Sequence, residues 1–175
     1  MTTILRPPYA LNYTQGSGYL RADPGAGRLA NSQTIHFIGS SQSIAQVGSG
    51  FQGPSGTRRI RVEATVRVDS YFLFTPALIG YASAETIMNL RVMDGSRVVA
   101  HDRRSLGRAI AAVFWVTDLR GGPFTLYMAA EFWGGGGRQY SAHVDVETWV
   151  GAGGIGAGAI ASGYAVAQEF RVRVL

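Results

Sequence analysis

Arg58-Arg59-Ile60-Arg61-Val62-Glu63-Ala64-Thr65-Val66-Arg67-Val68 alternates without a break. Ile60, Val62, Ala64, Val66 and Val68 fall on one side, and Arg59, Arg61, Glu63, Thr65 and Arg67 on the other. A period of two held over this length predicts a strand with one face in a core and one in water. At the usual rise, Arg59 to Val68 runs about 33 Å.

The same period recurs on either side. Phe170, Val172 and Val174 alternate with Glu169, Arg171 and Arg173. Ala142, Val144 and Val146 alternate with His143, Asp145, Glu147 and Trp149, which places the latter four on a solvated face. Ile87–Val92, the Asp94-Gly95 turn signal and Arg97–Ala100 predict a hairpin. Ala109–Thr117 reads as one dense apolar strand, closed by Asp118 and the Gly121-Gly122-Pro123 turn. Phe124–Trp133 follows, and hairpin logic across Gly134–Gly137 pairs it with Ser141–Val150. Tyr81–Leu90 is the single stretch with fair helix formers. Gly151–Gly163 is nearly all Gly and Ala; a helix is disfavoured there by about 1 kcal/mol per glycine, so it reads as a loop or a loosely paired strand edge. Short strands separated by regular turns predict an all-β fold, an antiparallel β-sandwich of the jelly-roll type.

Residues 1–33 differ in texture, with Pro7, Pro8 and Pro24, several glycines and no sustained period. They read as an extended N-terminal arm preceding a β-sandwich domain at 34–175. The arm is too aromatic for a plain linker, so Tyr9, Tyr13 and Tyr19 are its candidate contacts with a partner or with its own domain.

The 175 residues suit one domain, and a chain of this size buries enough surface to need no staples. The absence of cysteine excludes disulfides and thiolate metal sites. No apolar run reaches the roughly 20 residues of a membrane-spanning helix, and Met1–Tyr9 lacks a signal-peptide layout, so a soluble product is expected. The net charge is +5, and all 16 basic residues are arginine, a residue suited to interfacial ion pairs. They are interspersed with acids. Even the densest group, Arg103, Arg104 and Arg108, reads as a solvated loop or subunit contact rather than a nucleic-acid site.

No catalytic constellation stands out. Gly151-Ala152-Gly153-Gly154-Ile155-Gly156 matches a dinucleotide fingerprint, but only 19 residues follow Gly156, too few for the rest of the nucleotide fold. His36, His101 and His143 lie on separate segments without the paired spacing of a metal site, and His143 reads as solvated. Asp145 and Glu147 share a face about 6.6 Å apart, a glycosidase-like separation. They lack a third group and more simply face arginines across the ladder, such as Arg171 or Arg173. The expectation is therefore no enzyme, no catalytic residue, no metal and no cofactor.

Binding features are clearer. Trp133, Arg138 and Tyr140 flank the four-glycine tip and are the residue types of contact hot spots, able to pack on a partner or to stack on a sugar. Tyr71-Phe72-Leu73-Phe74 has period one, so Tyr71, Phe72 and Phe74 need cover on both faces.

The succession of Arg58–Val66, the hairpin Asn89–Val98, the strand–turn–strand Val116–Leu126 and the closing run Phe170–Leu175 resembles the C1q/TNF-like jelly roll, including its phage and bacterial versions. The match spans about 34–175. It departs from the pattern where Asp94 replaces the usual turn asparagine and Arg59 stands near a common aromatic position. The resemblance implies a homotrimer packed around a three-fold axis, within a virion fibre, spike or decoration protein or on a cell surface. The function expected is structural, through contacts with copies of itself and neighbouring virion or surface proteins. The alternative is a carbohydrate-binding, lectin-like module using Trp133, Arg138 and Tyr140. The expected location is the virion, or alternatively the cell surface or the medium.

Overall fold

The computed structural model describes residues 1–175. It is all-β and antiparallel, with ten strands: β1 (Thr2–Leu5), β2 (Leu11–Gln15), β3 (Tyr19–Asp23), β4 (Arg28–Gln52), β5 (Arg58–Ala77), β6 (Ile79–Asp94), β7 (Arg97–Ala112), β8 (Trp115–Gly121), β9 (Phe124–Gly134) and β10 (Gln139–Val174).

The ladder is one sheet folded over on itself to make a sandwich. The first half of β10 pairs with β6 (Ser141↔Met93 to Ile155↔Ile79), whereas its second half pairs with β5 (Ile160↔Phe74 to Val174↔Ile60). Strand β4 follows β10 through both layers, from Gln139↔Gln52 to Val166↔Arg28, with one register break between Gly153 and Gly158. The first layer is thus β2, the second half of β4, the first half of β10, β6 and β7. The second layer holds the complementary halves of β4 and β10 with β5, flanked by β1, β3, β8 and β9.

All crossings between layers made by β4, β10, β5–β6 and β7–β8 lie along one line at one end of the sandwich. Backbone hydrogen bonds stitch that line: Leu78 N–H donates to Gly156 O (3.3 Å) and Phe114 N–H to Leu78 O (3.1 Å). Each crossing uses left-handed backbone. Gly154 and Gly156 (φ 128° and 65°) serve β10, Gly80 (129°) serves β6, Phe37 and Gly39 (70° and 141°) serve β4, and Phe114 (60°) serves the β7–β8 turn.

Side-chain size follows this geometry. In the wide part of the sandwich, Ile60, Val62, Val66 and Val68 of β5 and Phe170 of β10 pack with Met88, Leu90, Val92, Val144 and Val146 of the opposite layer. Toward the crossing line the interior residues shrink to Ala77, Ala82 and Ala111. The layers converge there, and only small residues fit between them. Between these zones lies a polar seam. The buried Asn31 side chain donates from Nδ2 to Ser43 O (2.7 Å) and Val146 O (3.2 Å). Its Oδ1 accepts from the Ser43 hydroxyl (2.8 Å) and the Thr148 hydroxyl (3.0 Å). Asn31 belongs to the second layer, and all its partners to the first.

Several expectations are corrected. Gly151–Gly163 is no loop; it is the middle of the longest strand, where small residues permit the fold-over. Tyr81–Leu90 is strand, part of β6, and its buried face packs in the core. Ala109–Thr117 is split by a turn at Val113-Phe114, which carries the chain from one layer to the other. Strands β9 and β10 form no hairpin: β9 pairs with β5, and the Gly135–Arg138 link crosses between layers. The Asp94–Arg97 hairpin forms as expected, with Gly95 (φ 59°) supplying the left-handed first loop position.

Of residues 1–33, β1 pairs with β10, β2 and β3 pair with β4, and 28–33 already belong to β4. Tyr9 is buried in its own chain's core. Its hydroxyl donates to Ala167 O (3.1 Å), and its ring meets Phe170 edge-on. Tyr13 and Tyr19 are about half exposed.

Asn31→Leu keeps the volume and strips the Ser43 and Thr148 hydroxyls of their shared acceptor. It is expected to cost about 3 kcal/mol. Urea unfolding checks this, and a loss below about 1 kcal/mol would show that the seam does not hold the layers together.

Candidate ligand-binding face

The outer face of the first layer is set by register. Reading across β2, β4, β10, β6 and β7, one row is Tyr13, Gln46, Asp145, Asn89 and Arg103. The row on one side is Leu11, Gly48, His143, Arg91 and His101, and on the other Gln15, Ile44, Glu147, Ile87 and Ser105. Beyond that lie Gln42, Trp149, Glu85 and Arg108.

This corrects the reading of His143, Asp145 and Glu147 as solvated. All three are buried, because long side chains from neighbouring strands lie over them. Glu147 Oε1 accepts from Gln42 Nε2 (2.6 Å) and from the Trp149 indole N–H. Its Oε2 accepts from Asn89 Nδ2 (2.9 Å) and Arg91 Nη2 (3.4 Å). Asn89 also donates to Asp145 Oδ1 (2.7 Å). Asp145 Oδ2 lies 3.0 Å from Arg91 Nε, yet no hydrogen bond is made to it. Both acids do face an arginine across the ladder, but it is Arg91; Arg171 and Arg173 pair with Glu169 and Glu63 on the other layer.

Burial shifts the protonation of Asp145 and His143. Loss of water raises the Asp145 carboxyl to about 6; the Glu147 charge adds to this, while Arg91 and Asn89 oppose it. Burial, with help from the Arg91 charge, lowers His143 to about 4. Its neutral ring has both nitrogens partnered, Nδ1 with Gln46 Nε2 (2.6 Å) and Nε2 with Ser141 Oγ (2.7 Å). Gly48 opposite makes room for it, since a Cβ there would sit 2.5 Å from His143 Nδ1.

An open groove of about 370 Å³ runs alongside, lined by Asn89, Arg91, Val98, His101, Arg103 and Glu147. Trp149 stands on the same face, less than half exposed, its indole held by Glu147. The arrangement offers guanidinium, imidazole and amide groups, and an aromatic surface fixed in place. The Asn89-x-Arg91 alternation between Met88, Leu90 and Val92 is the sequence signal that points to this face.

The other sequence candidates lie away from this face, and Trp133, Arg138 and Tyr140 share one cleft of their own. Trp133 is 73% exposed, Arg138 ion-pairs with Asp94 (3.0 Å), and Tyr140 is buried between Phe51 and Phe132. The Tyr140 ring packs in the core and its hydroxyl accepts from Gly135 N–H (3.1 Å), while its edge joins Trp133 and Arg138 in lining a cleft of about 600 Å³. Phe72 and Phe74 stack on each other on the outer face of the second layer, with the Arg120 guanidinium over Phe72; Tyr71 packs against the core. All three rings remain partly exposed.

No family model and no curated protein sequence matches this chain. Among solved structures it is similar to the carbohydrate-binding module TmCBM61, solved in complex with β-1,4-galactotriose, at 10% identity and TM-score 0.33, covering 95% of this chain and 90% of that one. It is also similar to the enzymatically active domain of bacteriophage CBA120 tailspike protein 4, at 9% identity and TM-score 0.29, covering 86% of this chain and 20% of that one. A third is the family 11 carbohydrate-binding module of Clostridium thermocellum with a mixed-linked tetrasaccharide, at 9% identity and TM-score 0.24, covering 94% of each.

The two shifted groups oppose each other. Asp145, with its folded value above the ordinary 3.9, contributes stability at low pH that is lost as pH rises from about 4 to about 6. His143, with its folded value below 6.5, costs stability as pH falls from about 6.5 to about 4. Asp145→Asn is therefore expected to steepen the stability loss on acidification across this window, and His143→Gln to reverse its sign. Chemical unfolding at stepped pH measures both, and parallel profiles for wild type and variants would refute the assignment.

Proposed function

We propose that the chain is a non-catalytic recognition module of a virion or cell-surface assembly, and that the outer face of its first layer takes a carbohydrate. The observation that carries this is the Trp149 indole fixed by Glu147 beside the groove formed by Asn89, Arg91, His101 and Arg103. A sugar presents an apolar face and a fringe of hydroxyls. An immobilised aromatic ring meets the first without losing rotamer entropy, and convergent amide, imidazole and guanidinium groups meet the second. The acids act within the face and not on the ligand: Glu147 accepts four donors from this chain and so fixes the Trp149 indole and Arg91, and Asn89 ties it to Asp145.

A second reading, structural assembly as a homotrimer or with neighbouring virion proteins, is favoured by β9. This strand pairs only with β5, and Tyr127 and Trp133 on its outer side are each 73% exposed. The C1q/TNF-like resemblance supports the same reading.

A glycan array followed by calorimetry on the best hit tests the first proposal. Trp149→Ala is expected to weaken binding by roughly 30-fold, about 2 kcal/mol, while Trp133→Ala leaves it unchanged. No binding across the array, or equal loss in both variants, overturns it. Sedimentation equilibrium tests the second reading: wild type is expected to be trimeric and Tyr127→Ala/Trp133→Ala monomeric, and a monomeric wild type refutes it.

A further inference from the structure

The crossing line forms an exposed apolar ridge that neither reading uses. Phe37, Ile38, Leu78, Phe114, Trp115 and Ile155 lie on or beside it, each half to four-fifths exposed. They expose roughly 800 Å² in total, more than the largest apolar patch of a typical monomer. No Asp, Glu or Arg occurs in 35–46, 70–84, 109–117 or 148–168, the segments that converge there. Phe37 and Phe114 are also the only non-glycine residues with positive φ, at 70° and 60°. Such backbone is costly for a bulky side chain, and in both cases it holds the ring outward.

We infer that this ridge inserts into the surface of a lipid bilayer. The residues are layered along the sandwich axis as such an insertion requires. The turn and bend residues form the tip. Tyr81 and Trp115, amphipathic rings suited to the headgroup boundary, lie within two residues of the turns, about 7 Å back. The first charge, Asp118, is four residues down β8, about 13 Å from the tip; Arg108 on β7 is about 20 Å from it. Peripheral insertion buries about 5–10 Å, so every Asp, Glu and Arg stays in water. Backbone groups at the tip are paired across the crossings, including Leu78 N–H and Phe114 N–H, so less unsatisfied polarity enters hydrocarbon. A second copy fits the surface less well: the ridge is a line of turns and bends at the narrow end of the sandwich, and two such ridges would meet along a strip.

The test uses the full chain and large unilamellar vesicles of phosphatidylcholine with phosphatidylglycerol. The wild-type protein is expected to co-sediment with them and to show tryptophan emission that shifts to the blue and is quenched by brominated lipid. Phe37→Asn/Phe114→Asn is the decisive variant. Asparagine tolerates left-handed backbone, so the fold is expected to be kept or strengthened, while partitioning falls by roughly a hundredfold. Circular dichroism and unfolding confirm that the variant is folded. Wild-type protein that stays in the supernatant at all lipid concentrations overturns the inference, as does equal partitioning of the folded variant. Self-association of wild type that the variant abolishes, with no effect of vesicles, assigns the ridge to a second copy and also overturns it. The outcome is independent of glycan binding, which is read on a different face through Trp149.

Discussion

The Asn31 side chain holds the two layers in one arrangement. It spends all four of its hydrogen-bonding capacities across the sandwich, on Ser43 and Thr148 hydroxyls and on the carbonyls of Ser43 and Val146. Gln33 repeats the device one step nearer the crossing line, reaching Thr148 O and Ser41 O. A hydrocarbon core resists separation but tolerates sliding. Directional bonds between the two halves of β4 fix where the strand must fold over, and so fix the register of everything paired to it.

The polar face depends on that register. Trp149, Glu147, Asp145 and His143 belong to the half of β10 that lies between β4 and β6, so neighbours on both sides can cover them. One residue of slip would turn the row into the core. The result is a set of ionisable groups that sit on the outside of the fold and yet are removed from water. For Asp145 and His143 that loss of water is the main cause of the shifted protonation, with the Arg91 charge acting on both.

Much of the fold was legible in the sequence because a period of two survives wherever one face meets a core. Arg58–Val68 and Phe170–Val174 show this directly. The same rule misled at Ser141–Val150. Alternation separates two faces, but it cannot say that neighbouring strands cover the polar one. Gly151–Gly163 failed for a different reason. Its composition argues against helix and against an ordinary strand, and the partner that explains it, the converging opposite layer with Ala77, Ala82 and Ala111, lies far away in sequence. Asn89 and Arg91 were not singled out in the sequence, because one polar pair on an alternating strand looks like any solvated face, whereas Trp133, Arg138 and Tyr140 do come together at one cleft, with the Tyr140 ring turned inward.

Strand β10 is the common partner of β1, β4, β5 and β6, and it completes both layers. Its pairings with β4 join residues far apart in the chain, from Gln139 with Gln52 to Val166 with Arg28. Before β10 is made, β4 and β5 have no central strand between them, and long stretches of apolar backbone edge stand open. Closure is therefore late and non-local, the regime in which β proteins fold slowly and are exposed to misassociation. A ribosome carrying the first 138 residues holds a chain with most of its hydrophobic side chains and no sandwich to place them in. The same strand that joins the layers sets the moment at which this protein can first exist.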